Sequence, residues 1–144
     1  MKNNMKKTIL AVLLVILCFS FCAAAETVPA VSDALWENAV YLTDTELGAG
    51  TNCFTAEVNA GEYAVRFTVH TDADTVGAAL LENELIAGEE GEFGLYVKVV
   101  NGITADYDID QSYWAFYING EYAMTGVDGT AIENGAAYQL VYTK

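Results

Sequence analysis

Asp106-Tyr107-Asp108-Ile109-Asp110 sets three carboxylates at alternate positions. A calcium-binding loop opens this way, because alternate side chains can converge on one hard cation. Gln111 stands where such a loop needs its turn glycine, and Tyr117 where it needs its bidentate glutamate. Ca2+ held by Asp106, Asp108 and Asp110 therefore needs a further carboxylate, with Asp128 the nearby one; the alternative is a solvated acidic loop. Glu89, Glu90 and Glu92 form a second acidic group. Two carboxylates can share glycosidase chemistry, one as acid and one as nucleophile or base, but nothing in this spacing selects a pair. Cys53 and the single histidine, His70, could form a thiol–imidazole couple. Read as strand residues, Cys53 starts an apolar alternation and His70 lies on a polar face. One histidine excludes a multi-histidine metal site within one chain. No nucleophile elbow, P-loop, dinucleotide fingerprint or zinc-protease helix occurs, so no enzyme and no required cofactor is expected.

The aromatic residues are more informative. Tyr107, Tyr113, Trp114, Phe116, Tyr117 and Tyr122 crowd into a short stretch. On a strand, Trp114, Phe116 and Ile118 point to one face and Tyr113, Ala115 and Tyr117 to the other. Exposed rings on a sheet face make a platform for a flat ligand or a partner surface; rings that only cover the sheet are the plain alternative.

The elements that would hold these groups follow from periodicity. Phe54, Ala56 and Val58 alternate with polar neighbours, as do Tyr63, Val65, Phe67 and Val69 across the turn Asn59-Ala60-Gly61-Glu62, so residues 53–71 read as a hairpin. Ala39 to Thr43 reads as a short strand. From Thr75 to Ala87 the period changes: Val76, Ala79, Leu80 and Ile86 fall on one helical face, Asp74 or Thr75 can cap the start, and Gly88 can end it. Gly77 is suited to close packing on a sheet. Alternation then returns at Leu95–Val100, Trp114–Ile118 and Tyr138–Tyr142, with Asn-Gly turn signals at 101–102, 119–120 and 134–135. The resulting expectation is α+β: a β-grasp-like mixed sheet with one helix packed across it.

The amino terminus reads as an address. Lys2, Lys6 and Lys7 precede an apolar run over Ile9–Cys22, and Ala23-Ala24-Ala25 follows before Glu26. This is the pattern of a cleaved secretory signal peptide, and the run is short for a membrane span of ~20 residues. The expected organisation is 1–25 signal peptide, 26–50 an extension with a short strand, and 51–144 the folded domain. The chain carries 6 Lys and Arg against 20 Asp and Glu, a net charge of −14. Cleavage after Ala25 leaves three basic residues against the 20 acids, a net −17. Such a chain is repelled by phosphate backbones, so nucleic acid is not an expected partner. Cleavage also leaves Cys53 as the one cysteine, so no internal disulfide forms. The location implied is extracellular, free or on the cell surface, with no membrane span after cleavage.

Several segments together resemble a known family. Thr75-Val76-Gly77-Ala78-Ala79-Leu80, Phe93-Gly94-Leu95-Tyr96-Val97, Val100-Asn101-Gly102-Ile103, Tyr113-Trp114-Ala115-Phe116-Tyr117-Ile118-Asn119-Gly120 and Gly126-Val127 look like the transcobalamin-like C-terminal domain family. Small secreted bacterial proteins carry it, and the C-terminal β-domains of cobalamin carriers are similar. The resemblance covers about residues 54–142. It implies a β-grasp-like fold and a ligand surface around Phe93, Gly94, Leu95, Tyr96, Trp114, Phe116, Tyr117 and Tyr122. The implied ligand is a corrinoid, packed on the rings and approached by the backbone at Gly94. Where the carriers commonly have proline, Leu95 stands here. The expectation is therefore a secreted non-enzymatic module binding cobalamin or a related corrinoid. A module recognising a surface protein or glycan is the alternative.

Overall fold

Apolar–polar alternation dominates the folded chain. The computed structural model describes residues 34–144; the expected signal segment and residues 26–33 lie outside the described residues. The strands are β1 (Thr45–Gly48), β2 (Asn52–Ala60), β3 (Tyr63–Thr71), β4 (Ile86–Gly91), β5 (Gly94–Val100), β6 (Ile103–Thr104), β7 (Tyr113–Ile118), β8 (Glu121–Tyr122) and β9 (Ala137–Thr143). They form a six-stranded sheet in the order β1-β3-β2-β9-β7-β8 and a three-stranded sheet in the order β4-β5-β6. No helix among the described residues is long and apolar enough to cross a membrane.

The large sheet is mixed. β2 and β3 form the expected hairpin, closed by Gly61-Glu62 with Gly61 at φ 61°. β9 enters between β2 and β7, parallel to the first and antiparallel to the second. The Asn119-Gly120 turn joins β7 to β8 with both residues at positive φ, 49° and 85°, the geometry a tight hairpin needs. Asn101-Gly102 does the same between β5 and β6, at 51° and 79°. Asn101 also reaches back in sequence: its buried amide accepts from the Tyr41 N–H at 2.8 Å and donates to the Tyr41 carbonyl at 2.9 Å. That ties the stretch before β1 to the small sheet.

The α+β, β-grasp-like expectation is corrected by this architecture, which is predominantly β and built on two sheets. The predicted helix over Thr75–Ala87 runs only from Val76 to Glu82. Thr75 caps it by accepting from the Ala78 N–H at 3.1 Å, but Glu84 takes a left-handed φ of 56° and breaks the period. Leu85 and Ile86 are then buried, and the chain leaves as β4, paired antiparallel with β5. The Glu89–Glu90 stretch, part of the second acidic group, is strand. Gly88, expected to end the helix, lies at a bulge in β4, where an added Cβ would stand 2.0 Å from the Tyr96 carbonyl oxygen. Gly77 packs on the turn Val127–Gly129 rather than on a sheet, with its Cβ position 2.8 Å from the Asp128 nitrogen. The short strand before the hairpin is Thr45–Gly48, not residues 39–43.

The core lies on the inner face of the large sheet. Phe54, Ala56, Val58, Val65, Phe67, Val69, Tyr138 and Leu140 are all buried there, and the buried side chains Val76, Leu80, Leu85, Val100 and Val127 close over it. Tyr138 is central. Its ring meets Phe54 edge-on at 5.2 Å and stacks on Phe116 at 5.9 Å. Its hydroxyl donates to the Ala131 carbonyl at 3.4 Å and accepts from the Glu133 N–H at 3.3 Å. Removing the hydroxyl alone (Tyr138→Phe) is expected to cost about 1 kcal/mol, and removing the ring (Tyr138→Ala) about 3–5 kcal/mol. Urea denaturation measures both, and equal losses in the two variants would contradict this division.

Candidate functional site

Three tyrosines from three elements share one open depression. Tyr96 comes from β5, Tyr107 from the single-turn helix Tyr107–Asp110, and Tyr113 from the start of β7. With Asp108 they line a space of about 520 Å³. Tyr96 and Tyr107 are 41% and 55% exposed, so much of their ring surface faces water. Lys98 lies 5.9 Å over the Tyr96 ring, a distance at which a cation is drawn to the ring face. Its ammonium pairs with Glu89 at 3.3 Å and Asp106 at 3.9 Å. The hydrogen bond to Glu89 leads the causes that raise the Lys98 pKa; burial opposes it, and the charges of Glu89, Asp106 and Asp108 reinforce it.

A single helical turn is too short to hold itself, so side chains fix it. Asp106 caps it by accepting from the Asp108 N–H at 3.0 Å. Gln111 ends it at a left-handed φ of 63°. Ser112, fully buried, joins the two ends: its hydroxyl accepts from the Asp106 N–H at 3.1 Å and donates to the Asp110 carboxylate. The Ser112 N–H donates to the same carboxylate at 3.1 Å. These bonds from Ser112 are the first causes that lower the Asp110 pKa; burial opposes them, and the Lys144 charge and hydrogen bond add to them. Tyr107 is thus presented from a clamped turn.

The predicted site residues fall into three places. Tyr96 lies on the shelf. Phe93, Gly94 and Leu95 form the tip and root of the β4–β5 hairpin beside it, with Phe93 95% exposed. The root is fastened from below, since Asp128 accepts from the Leu95 N–H at 2.9 Å. Gly94, at φ 102°, leaves the space that Asp128 fills: a Cβ there would stand 2.5 Å from the carboxylate. Trp114 and Phe116 face the core at 7% and 8% exposure, and the Trp114 indole donates to the Lys98 carbonyl at 3.2 Å. The Trp114 bond ties β7 to the strand that carries Tyr96. Tyr117 and Tyr122 pair edge-on at 5.6 Å on the outer face of the large sheet, at the far end of β7 from Tyr113.

Asp106, Asp108 and Asp110 do not converge. The one-turn helix turns them apart: Asp106 caps it, Asp110 is held by Ser112 and Lys144, and Asp108 edges the shelf. Among the described residues no three His, Cys, Asp or Glu side chains gather around a common metal position. The shelf members that pattern reading left out of the site, Tyr107 and Tyr113, were visible as aromatics. Ser112 carried no signal, because its importance lies in closing a turn whose existence the alternation did not show.

The family model described as "Domain of unknown function (DUF4430)" matches residues 73–144. Among solved structures, the chain is similar to a candidate metal-binding protein from Ruminococcus gnavus ATCC 29149, at 33% identity and a TM-score of 0.62, over 65% of this chain and 98% of that one. It is also similar to haptocorrin in complex with Cbi, at 18% identity and a TM-score of 0.54, over 68% of this chain and 26% of that one. The second likeness is one of fold, and the chain spans about a quarter of haptocorrin's length. Together these findings support a transcobalamin-like fold. No curated protein matches the chain.

The Ser112 clamp gives a pH-dependent expectation. A carboxyl held below its ordinary value stabilises the fold above the unfolded pKa, here 3.8, and loses that contribution as pH falls through the folded value. Ser112→Ala should lower stability at neutral pH, because the Asp110 carboxylate loses the hydroxyl that donates to it and the Asp106 N–H loses its acceptor. Its deficit relative to the parent should narrow below about pH 4. Thermal melts from pH 7 to acid would contradict this if the gap stayed constant.

Proposed function

The chain belongs to the family described as Domain of unknown function (DUF4430), and on that premise we propose that it is a secreted, non-enzymatic binding module whose tyrosine shelf takes a flat, amide-bearing small molecule, a corrinoid by class. The observation that carries this reading is the convergence of Tyr96, Tyr107 and Tyr113 on one open space of about 520 Å³, within the range of small-molecule sites. Ring faces supply contact area to a macrocycle. Phenol hydroxyls and the Asp108 carboxylate supply partners for its peripheral amides. Phe93, almost wholly in water at the adjoining hairpin tip, gains apolar contact when a ligand covers it. The hairpin root is fixed through Asp128 and the one-turn helix through Ser112, so little ordering is left to be done on binding.

The haptocorrin structure, which shares the fold and holds Cbi, supports the ligand class. The expected signal segment supports export. The description of the Ruminococcus gnavus relative as a candidate metal-binding protein has no counterpart in the shelf, which offers one carboxylate.

Calorimetric titration of the purified protein with cobinamide and with cobalamin tests the reading. Saturable binding is expected for at least one of them. Tyr96→Ala and Tyr107→Ala should each weaken it about tenfold, roughly the worth of one good aromatic contact. Tyr122→Ala, at the far end of β7 from Tyr113, should leave it unchanged. Absence of heat and of any thermal shift with both compounds would overturn the proposal.

A further inference from the structure

The outer face of the large sheet carries a second constellation, separate from the shelf. Strand register places Tyr122 beside Tyr117, Tyr117 beside Gln139, Gln139 beside Glu57, and Glu57 beside Arg66. These five side chains form one row across β8, β7, β9, β2 and β3. Within it, Gln139 donates to Glu57 at 3.2 Å and Arg66 donates to the other Glu57 oxygen at 3.1 Å. The neighbouring row is small. Thr55 and Ala137, with Gly120 at the β7–β8 turn, open a depression of about 300 Å³ that Glu57, Arg66 and Gln139 border.

We propose that this depression is a binding site for the neutral sugar units of a glycan. A carboxylate, a guanidinium and a primary amide are planar groups that bond two adjacent hydroxyls at once, as acceptor, donor and both. The exposed Tyr122 and the half-buried Tyr117 beside Gln139 offer an apolar surface for the C–H face of a pyranose ring. Charge selects against ionic ligands. Glu57 and Arg66 compensate each other at contact distance, and the acidic chain repels polyanions. Burial pushes the Glu57 carboxyl up, but hydrogen bonds from Asn59, Arg66 and Gln139 and the Arg66 charge outweigh it and hold the group below its ordinary value. At neutral pH Glu57 is therefore an acceptor only. The groups are ordered by their own hydrogen bonds before any ligand arrives, which lowers the entropic cost of binding. This site does not depend on the corrinoid reading: it shares no residue with the shelf.

Titration of isotope-labelled protein with cellotriose, chitotriose, mannotriose and galactotriose, followed by NMR, tests the site. At least one should saturate with an affinity of about 1 mM or tighter, shifting the Gln139 side-chain amide and the backbone amides of Thr55 and Gly120. Gln139→Ala and Tyr122→Ala should each weaken that binding about fivefold or more, while Tyr96→Ala leaves it unchanged. No shift with any of the four sugars would overturn the proposal, as would shifts confined to Tyr96, Tyr107 and Tyr113.

Discussion

The burial of Tyr138 organises the molecule. β9 fills the gap between β2 and β7, so the large sheet exists only when the last strand is in place. Tyr138 anchors that strand with two ring contacts. Burying its phenol requires hydrogen-bond partners, which it finds in the loop of Ala131 and Glu133. The same loop starts the helix, because Val76 donates to the Thr130 carbonyl at 2.9 Å and Ile132 to the Asp74 carbonyl at 3.2 Å. The helix then packs through Gly77 on the turn that carries Asp128, and Asp128 holds the root of the β4–β5 hairpin. A run of contacts thus leads from one buried ring to the element that presents Tyr96.

The two faces of the large sheet divide the work. The inner face is apolar and holds the core. The outer face carries Thr55, Glu57, Arg66, His70 and Gln139; Arg66 pairs with Glu57 across strands, and the His70 imidazole lies 3.6 Å from the Glu46 carboxylate. β7 serves both, since its alternation sends Trp114 and Phe116 inward and Tyr117 outward. The small sheet, the one-turn helix and the start of β7 build the shelf.

Much of this was legible in the sequence where one period held along a whole strand. The 53–71 hairpin, the turns at Asn101-Gly102 and Asn119-Gly120, and the opposite facing of Trp114 and Tyr117 follow from alternation and from residues that accept positive φ. The balance of helix and sheet did not follow, because Leu81, Leu85 and Ile86 extend a helical stripe that Glu84 interrupts; the pull comes from pairing with β5, a tertiary contact. The aromatic list was visible as a composition, but strand facing and chain path split it into core, hairpin and outer-face members. The Asp106–Asp110 spacing suggested a cation, whereas a helical turn separates side chains that an extended loop would gather.

The most direct test of the central claim is an NMR map of the protein titrated with cobinamide. Shifts concentrated on Tyr96, Tyr107, Tyr113 and the Phe93–Leu95 tip, with Tyr117 and Tyr122 unmoved, are the result this account requires. Shifts centred on Tyr117 and Tyr122, or no shifts at all, would contradict it.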